Sequence, residues 1–348
     1  MQAYQSDKLG SYQGRDLFWI TLVNDNGSTV RVTNLGCIIQ SILVPDLQGI
    51  FRDVTLGFDH VEDYYSERYL SECPYFGTIV GRYANRIGGG KYEYNGEVFN
   101  LTKNDGENTL HSAGSFSRKV WDIKSLEPNN AAVTFSLFSP DGDEGFPGNV
   151  EAEVTYRLTN DNELEYEIRG VTDQPTPMNM TNHAYFNLHA DGGYAGDHLI
   201  QIPADNYFAQ HPNLVVTGEL LPVKDTRYDF TISKAMDHDW DPESGYDQAF
   251  LINKPASQWG LIASAWSAKT GISLEVYSSE PAVQFYSGGF LNGISGKDSR
   301  IYEKFSGFCF ETHHHPNALN IPHFPNTIVQ PGETYRQKTI FKFGLEKS

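Results

Sequence analysis

The chain has 348 residues, 39% hydrophobic and 20% charged, which excludes a disordered or fibrous polypeptide and is ample for a buried core. Its 44 acidic residues against 26 basic ones give a formal net charge of −18, the wrong sign for nucleic-acid phosphates or anionic membranes and compatible with neutral ligands. With 20 Tyr and 21 Phe but only four Met, the composition favours pleated, half-buried surfaces.

The first apolar run, LFWITLV (17–23), follows Asp7, Lys8, Arg15 and Asp16; it is too late, too short and too strand-like for a secretory signal. No window approaches the ~20 apolar residues of a membrane helix, so a cytoplasmic location is expected. HVEDYYSERYLSE (60–72) predicts one helix or two short ones. GGGKY (88–92) fails as a phosphate loop, with Asn85 where the first Gly belongs and Tyr92 where the hydroxyl belongs; it predicts a turn. KYEYNGEVFNL (91–101) predicts a hairpin, Asn95-Gly96 supplying the positive-φ turn. AAVTFSLFS (131–139) alternates as a strand, and DGDEG (141–145) is too short for a calcium loop and reads as a turn.

Period two is clearest next. Val150, Ala152, Val154, Tyr156 and Leu158 alternate with polar residues, and after Asn160-Asp161-Asn162 so do Leu164, Tyr166 and Ile168: a hairpin with one face in a core and one in water. ISKAMDHD (232–239) predicts about a turn of helix, and GISLEVYSS (271–279) a further strand. No strand–helix alternation, linker or internal repeat appears. The expectation is an all-β chain, one large antiparallel sandwich domain over 1–348 with a few short helices. Cys37, Cys73 and Cys309 form no CxxC or metal spacing and predict buried, reduced thiols.

Two segments carry candidate chemistry. MNMTNHAYFNLHADG (178–192) gathers Asn179, Asn182 and Asn187 with Tyr185 and Phe186 around His183, reading as neither helix nor ordinary strand. FCFETHHHP sets Glu311 behind Phe308-Cys309-Phe310, where partial burial would raise its pKa and make it a better base. Histidine exchanges protons near neutrality. On an extended segment Glu311, His313 and His315 share a face and could hold a metal, though no established zinc spacing is present. A plain structural role is open to every one of these residues.

GRYANRI, NTLH, TNHAYFNL, YDQAF, PAVQFYSGGFL and FCFETHHHPNALNIPHFP, in this order and collinear from TNLGCII to PGETYRQKTIF, resemble the aldose 1-epimerases, or galactose mutarotases. The resemblance implies a large β-sandwich with a cleft across one sheet, and an isomerase that interconverts the α and β anomers of free aldohexoses such as galactose and glucose. It makes His183 the general acid and Glu311 the general base. Arg86 and His111 would bind sugar hydroxyls or the ring oxygen, with Asn85 beside them, Asp247 accepting two hydroxyls, Gln284 contributing an amide and Tyr185 lining the site. Tyr75, Phe76, Phe285, Tyr286 and Phe290 are further aromatic candidates, with core packing the expected role for each. One acid and one base suffice, so neither metal nor organic cofactor is expected, and the partner is a small sugar met by a monomer or homodimer. Ser112-Ala113, Gly289 and His313-His314-His315 depart from the family pattern and bear on sugar preference. Rival readings are a glycosidase using Asp247 and Glu311 as paired carboxyls, a non-catalytic sugar binder, and a sugar-phosphate epimerase; the last would want more Arg or Lys than Arg82 and Arg86.

Overall fold

The computed structural model describes residues 4–346. A nine-stranded sheet runs in the order Asp122–Glu127, Ala132–Ser139, Val150–Leu158, Glu163–Thr172, Tyr335–Leu345, Ile272–Ser278, Gly260–Trp266, Leu199–Gln201 and Lys234–Ala235. A six-stranded sheet runs Tyr185–Phe186, Phe308–His313, Ala282–Tyr286, Asp247–Leu251, Asn206–Gln210 and Val216–Pro222, and a five-stranded sheet joins the residues from Tyr4 to Asp53 in chain order. Their ladders are antiparallel. The hairpins expected at 91–100 and 150–172 are present, with Asn95 and Gly96 at φ 53° and 80°. Residues 60–72 form two short helices, Val61–Tyr65 and Glu67–Glu72. No helix among the described residues is long and apolar enough to cross a membrane.

The large core lies between the two bigger sheets. Val154, Tyr156, Leu164, Tyr166 and Ile168 from one meet Phe250, Val283, Phe285, Phe308 and Phe310 from the other, all of them buried. At ~1.5–3 kcal/mol per large apolar side chain, this face holds the six-stranded sheet in register. Because strand side chains alternate, fixing Phe310 and Phe285 inward turns Glu311 and Gln284, opposite each other in the ladder, to the other face. Asp247 joins them from the next strand, paired with Tyr286.

Three expectations are corrected. Residues 232–239 are not helical: Lys234–Ala235 pairs with Leu199 and Ile200, and the Met236 N–H goes to the His198 carbonyl, so a sheet edge claims these backbone groups. Cys37 and Cys309 are buried free thiols, but Cys73 is only half-buried, at the left-handed end of the second short helix. Phe290 is 73% exposed rather than packed in the core.

Candidate active site

Asn85, Arg86, His111, His183, Tyr185, Asp247, Gln284 and Glu311 all line one cavity of about 420 Å³, open to solvent. The sequence named these eight and, as aromatic candidates, Tyr75, Tyr286 and Phe290, which also line it; the same walls include Glu72, Cys73, Pro74, Asp105 and Asn292. Of these, Asp105 bears most on the chemistry and carried no sequence signal, since only the folding of the 103–110 loop onto Arg86–Ile87 brings it there.

His183 is held by its backbone and sandwiched by rings. Its carbonyl accepts the Gly77 N–H at 2.9 Å and its N–H bonds the Thr78 carbonyl at 2.9 Å. The imidazole lies between Tyr75 and Tyr185, ring centroids 5.8 and 5.1 Å away and nearly parallel to it. Gly77 ties this knot: φ is +68°, its carbonyl accepts from Ile39 N and Asn182 Nδ2, and a Cβ would run into the Ile39 carbonyl oxygen. Gly77→Ala is therefore expected to cost ~2–4 kcal/mol, read as a lower urea midpoint at unchanged m. An unchanged midpoint would show that the knot is slack.

His183 Nε2 stands 3.5 Å from Glu311 Oε1, both groups buried. Burial holds the His183 imidazole down at about 4 and pushes the Glu311 carboxyl well above the usual carboxylate range, with nearby Asp247 adding to the rise and Arg86 opposing it. Glu311 Oε2 has no hydrogen-bond partner among the described residues, which leaves it open to a ligand hydroxyl. On the far side of the imidazole, Nδ1 meets the Cys309 sulfur at 3.6 Å, a thiol that burial keeps protonated.

The remaining groups form a connected polar floor. Asn85 Nδ2 donates to Gln284 Oε1 at 2.9 Å, and Gln284 Nε2 donates in turn to Asp247. Burial raises the Asp247 carboxyl, with Arg86 and Gln284 pulling it back down. The Asn85 N–H donates to His111 Nδ1 at 3.2 Å, so a neutral His111 carries its proton on Nε2. Burial, with His183 and Arg86 adding to it, drives the His111 pKa well below 6.5 and keeps the ring a neutral donor.

The ligand atoms of His111, His183 and Glu311 lie within 4.8 Å of one another, whereas the Glu311, His313 and His315 set envisaged from spacing does not assemble: His313 and His315 are buried away from the cavity. The proton on His111 Nε2 occupies the lone pair a cation would need, so these three residues suit sugar oxygens better than a metal. A second grouping, His189, Asp197 and His198, is already committed to internal bonds: His198 holds the Ala195 carbonyl and the Leu188 N–H, and His189 links Ser267 to Asp197.

Strained backbone surrounds the cavity. Tyr75, Asn85, His111, Ser112 and Ala113 all have positive φ, between 50° and 66°. The family pattern places two glycines where Ser112 and Ala113 stand, and the conformation supplies the reason. Ser112 compensates with its hydroxyl, which accepts the Tyr83 N–H at 2.7 Å and donates to the Tyr83 carbonyl at 3.1 Å.

A family model described as aldose 1-epimerase matches residues 19–342. Galactose mutarotase of Homo sapiens is 39% identical over 321 residues, 91% of each chain. Aldose 1-epimerase of Escherichia coli (strain K12) is 35% identical over 336 residues, 94% of this chain and 95% of that one. Among solved structures, galactose 1-epimerase from Lactobacillus acidophilus NCFM superposes with a TM-score of 0.86 at 29% identity, covering 99% of both chains.

Proposed function

Since this chain belongs to the aldose 1-epimerase family and is an isomerase of that class, we propose that the cavity interconverts the α and β anomers of free aldohexoses, galactose and glucose among them. The observation that carries the reading is the Glu311–His183 pair, 3.5 Å apart over a floor of hydroxyl-binding groups. An anomeric carbon bears two oxygens, the hydroxyl and the ring oxygen, so a base and an acid this close can serve both. Glu311 takes the C1 hydroxyl proton while His183 protonates the ring oxygen, and the C1–O5 bond breaks to give the open-chain aldehyde. Rotation about C1–C2 presents the opposite carbonyl face, and the reverse transfers close the ring. Each transfer contributes ~10²–10⁴-fold, with positioning supplying the rest.

His111 Nε2–H and Arg86 donate to sugar oxygens, while Asp247 and Gln284 accept hydroxyl protons and Asn85 fixes Gln284. Buried polar groups of this kind discriminate between sugars because a missing hydroxyl leaves its partner unpaired. Tyr185 acts chiefly on the imidazole it stacks against. The same reading takes residues 1–348 as one domain working in the cytoplasm as a monomer or homodimer, with no nucleic-acid or membrane partner. The three free thiols and the net negative charge support it.

Polarimetry on freshly dissolved α-D-galactose and α-D-glucose tests the activity. The protein is expected to hasten the drift without altering the final rotation. Drift at the buffer rate across a panel of free aldoses, with reducing sugar released from a glycoside, would transfer the site to the glycosidase reading.

A further inference from the structure

Arg86 presents its terminal nitrogens to the cavity because its Nε is already engaged. Nε donates to Asp105 Oδ2 at 2.7 Å, the only side-chain hydrogen bond Arg86 makes among the described residues, and Nη1 stands 3.9 Å from Asp247 Oδ2. Asp105 is itself well fixed. The neighbouring Asn104 side chain bonds both the N–H and the carbonyl of Leu110, at 2.8 and 3.0 Å, and Asp105 and Asn108 exchange main-chain bonds of 3.2 and 2.9 Å. Charge around the cavity is lopsided. Glu72, Asp105, Asp247 and Glu311 contribute carboxyls, whereas Arg86 is the one Lys or Arg in the lining among the described residues, and burial keeps both lining histidines neutral.

We propose that Asp105 is a specificity-determining residue: it orients Arg86 toward the sugar, and its charge biases the cavity against anionic aldoses and toward cationic ones. The inference rests on the epimerase reading of this same cavity. Arg86 offsets the charge of Asp105 only in part for an incoming ligand, because its Nη1 also faces Asp247. At a separation of ~6–8 Å and an effective dielectric between ~20 and ~80, one unit charge changes relative affinity by about tenfold, and added salt screens the effect.

The test is kcat/KM by polarimetry for D-galactose, D-galacturonate and D-galactosamine, the last at a pH where its amine is protonated. Asp105→Asn keeps an oxygen for Arg86 Nε and removes only the charge. It is expected to raise the galacturonate-to-galactose ratio about tenfold and to lower the galactosamine-to-galactose ratio, both shifts shrinking as salt is added. Asp105→Ala also loses the acceptor and is expected to add a several-fold rise in the KM for galactose that Asp105→Asn does not show. Ratios unchanged in Asp105→Asn would overturn the proposal, and so would both charged sugars moving in the same direction, the mark of a packing effect. No acceleration of galactose by the wild type would instead overturn the epimerase reading itself, a separate result.

Discussion

Glu311→Gln is expected to lower kcat for mutarotation by ~10²–10⁴-fold and, at mildly alkaline pH, to raise the unfolding temperature. Both effects have one cause. The carboxyl is buried on the cavity side of a strand whose other face is packed against the nine-stranded sheet, and burial raises its pKa above the unfolded value. A group of this kind binds its proton more tightly in the folded state, so its contribution to stability is present below the unfolded pKa and is lost as pH rises through the folded one. The wild type therefore bears the cost of a buried carboxylate in the pH range where the base is needed. The amide removes that cost, worth about 1–2 kcal/mol and a few degrees in Tm. His198, held at about 3, and His313, His314 and His315, held at about 4, act in the opposite sense: their stability is lost as pH falls below the unfolded value of 6.5. They are common to both proteins, so the difference in Tm, measured from acid to alkaline pH, isolates Glu311 and should widen upward. A variant that is inactive but less stable than the wild type at every pH would make Glu311 a structural partner rather than a strained base.

What the sequence made legible follows from which faces meet water. The strands Val150–Leu158 and Glu163–Thr172 cover the core with one face and carry charged residues on the other, so their alternation was plain. In Phe308–His313 and Ala282–Tyr286 every residue is buried, one face by the core and the other by the cavity walls and the side chains packed around them. Burial on both faces erases the polar alternation that would have distinguished the cavity side from the core side. The motifs around His183 and Glu311 named the acid and base by resemblance, but their separation of 3.5 Å needed the fold. Asp105 lay beyond reach for a related reason, since its partner Arg86 is 19 positions away in another segment and neither flank is periodic. Residues 232–239 misled because Met236 and Ala235 suggested a turn of helix, while the edge of a sheet offered the backbone better partners.

His183→Gln should cost a comparable ~10²–10⁴-fold in kcat, and its pH profile should distinguish loss of an acid from loss of packing. Burial penalises charge on both members of the pair, so with one proton between them His183 and Glu311 resist gaining a second and resist losing the first. As pH falls toward about 4, His183 takes up a proton while Glu311 still holds one, and the base is lost. As pH rises through the raised Glu311 pKa, the last proton leaves the pair and the acid is lost. The wild-type profile is thus a bell whose alkaline limb belongs to the pair as a whole. Within the bell the reactive arrangement, carboxylate and imidazolium, differs from the neutral pair only in where the single proton sits. The Cys309 thiol, neutral beside Nδ1, cannot stabilise the imidazolium as a carboxylate there would, so the proton on Nε2 is readily given to a ring oxygen. In His183→Gln only Glu311 titrates, and the residual rate should climb as the carboxylate forms and then stay level at high pH. A folded variant that keeps both wild-type limbs would place the acid elsewhere, with His111, the other histidine of the cavity wall, the next candidate.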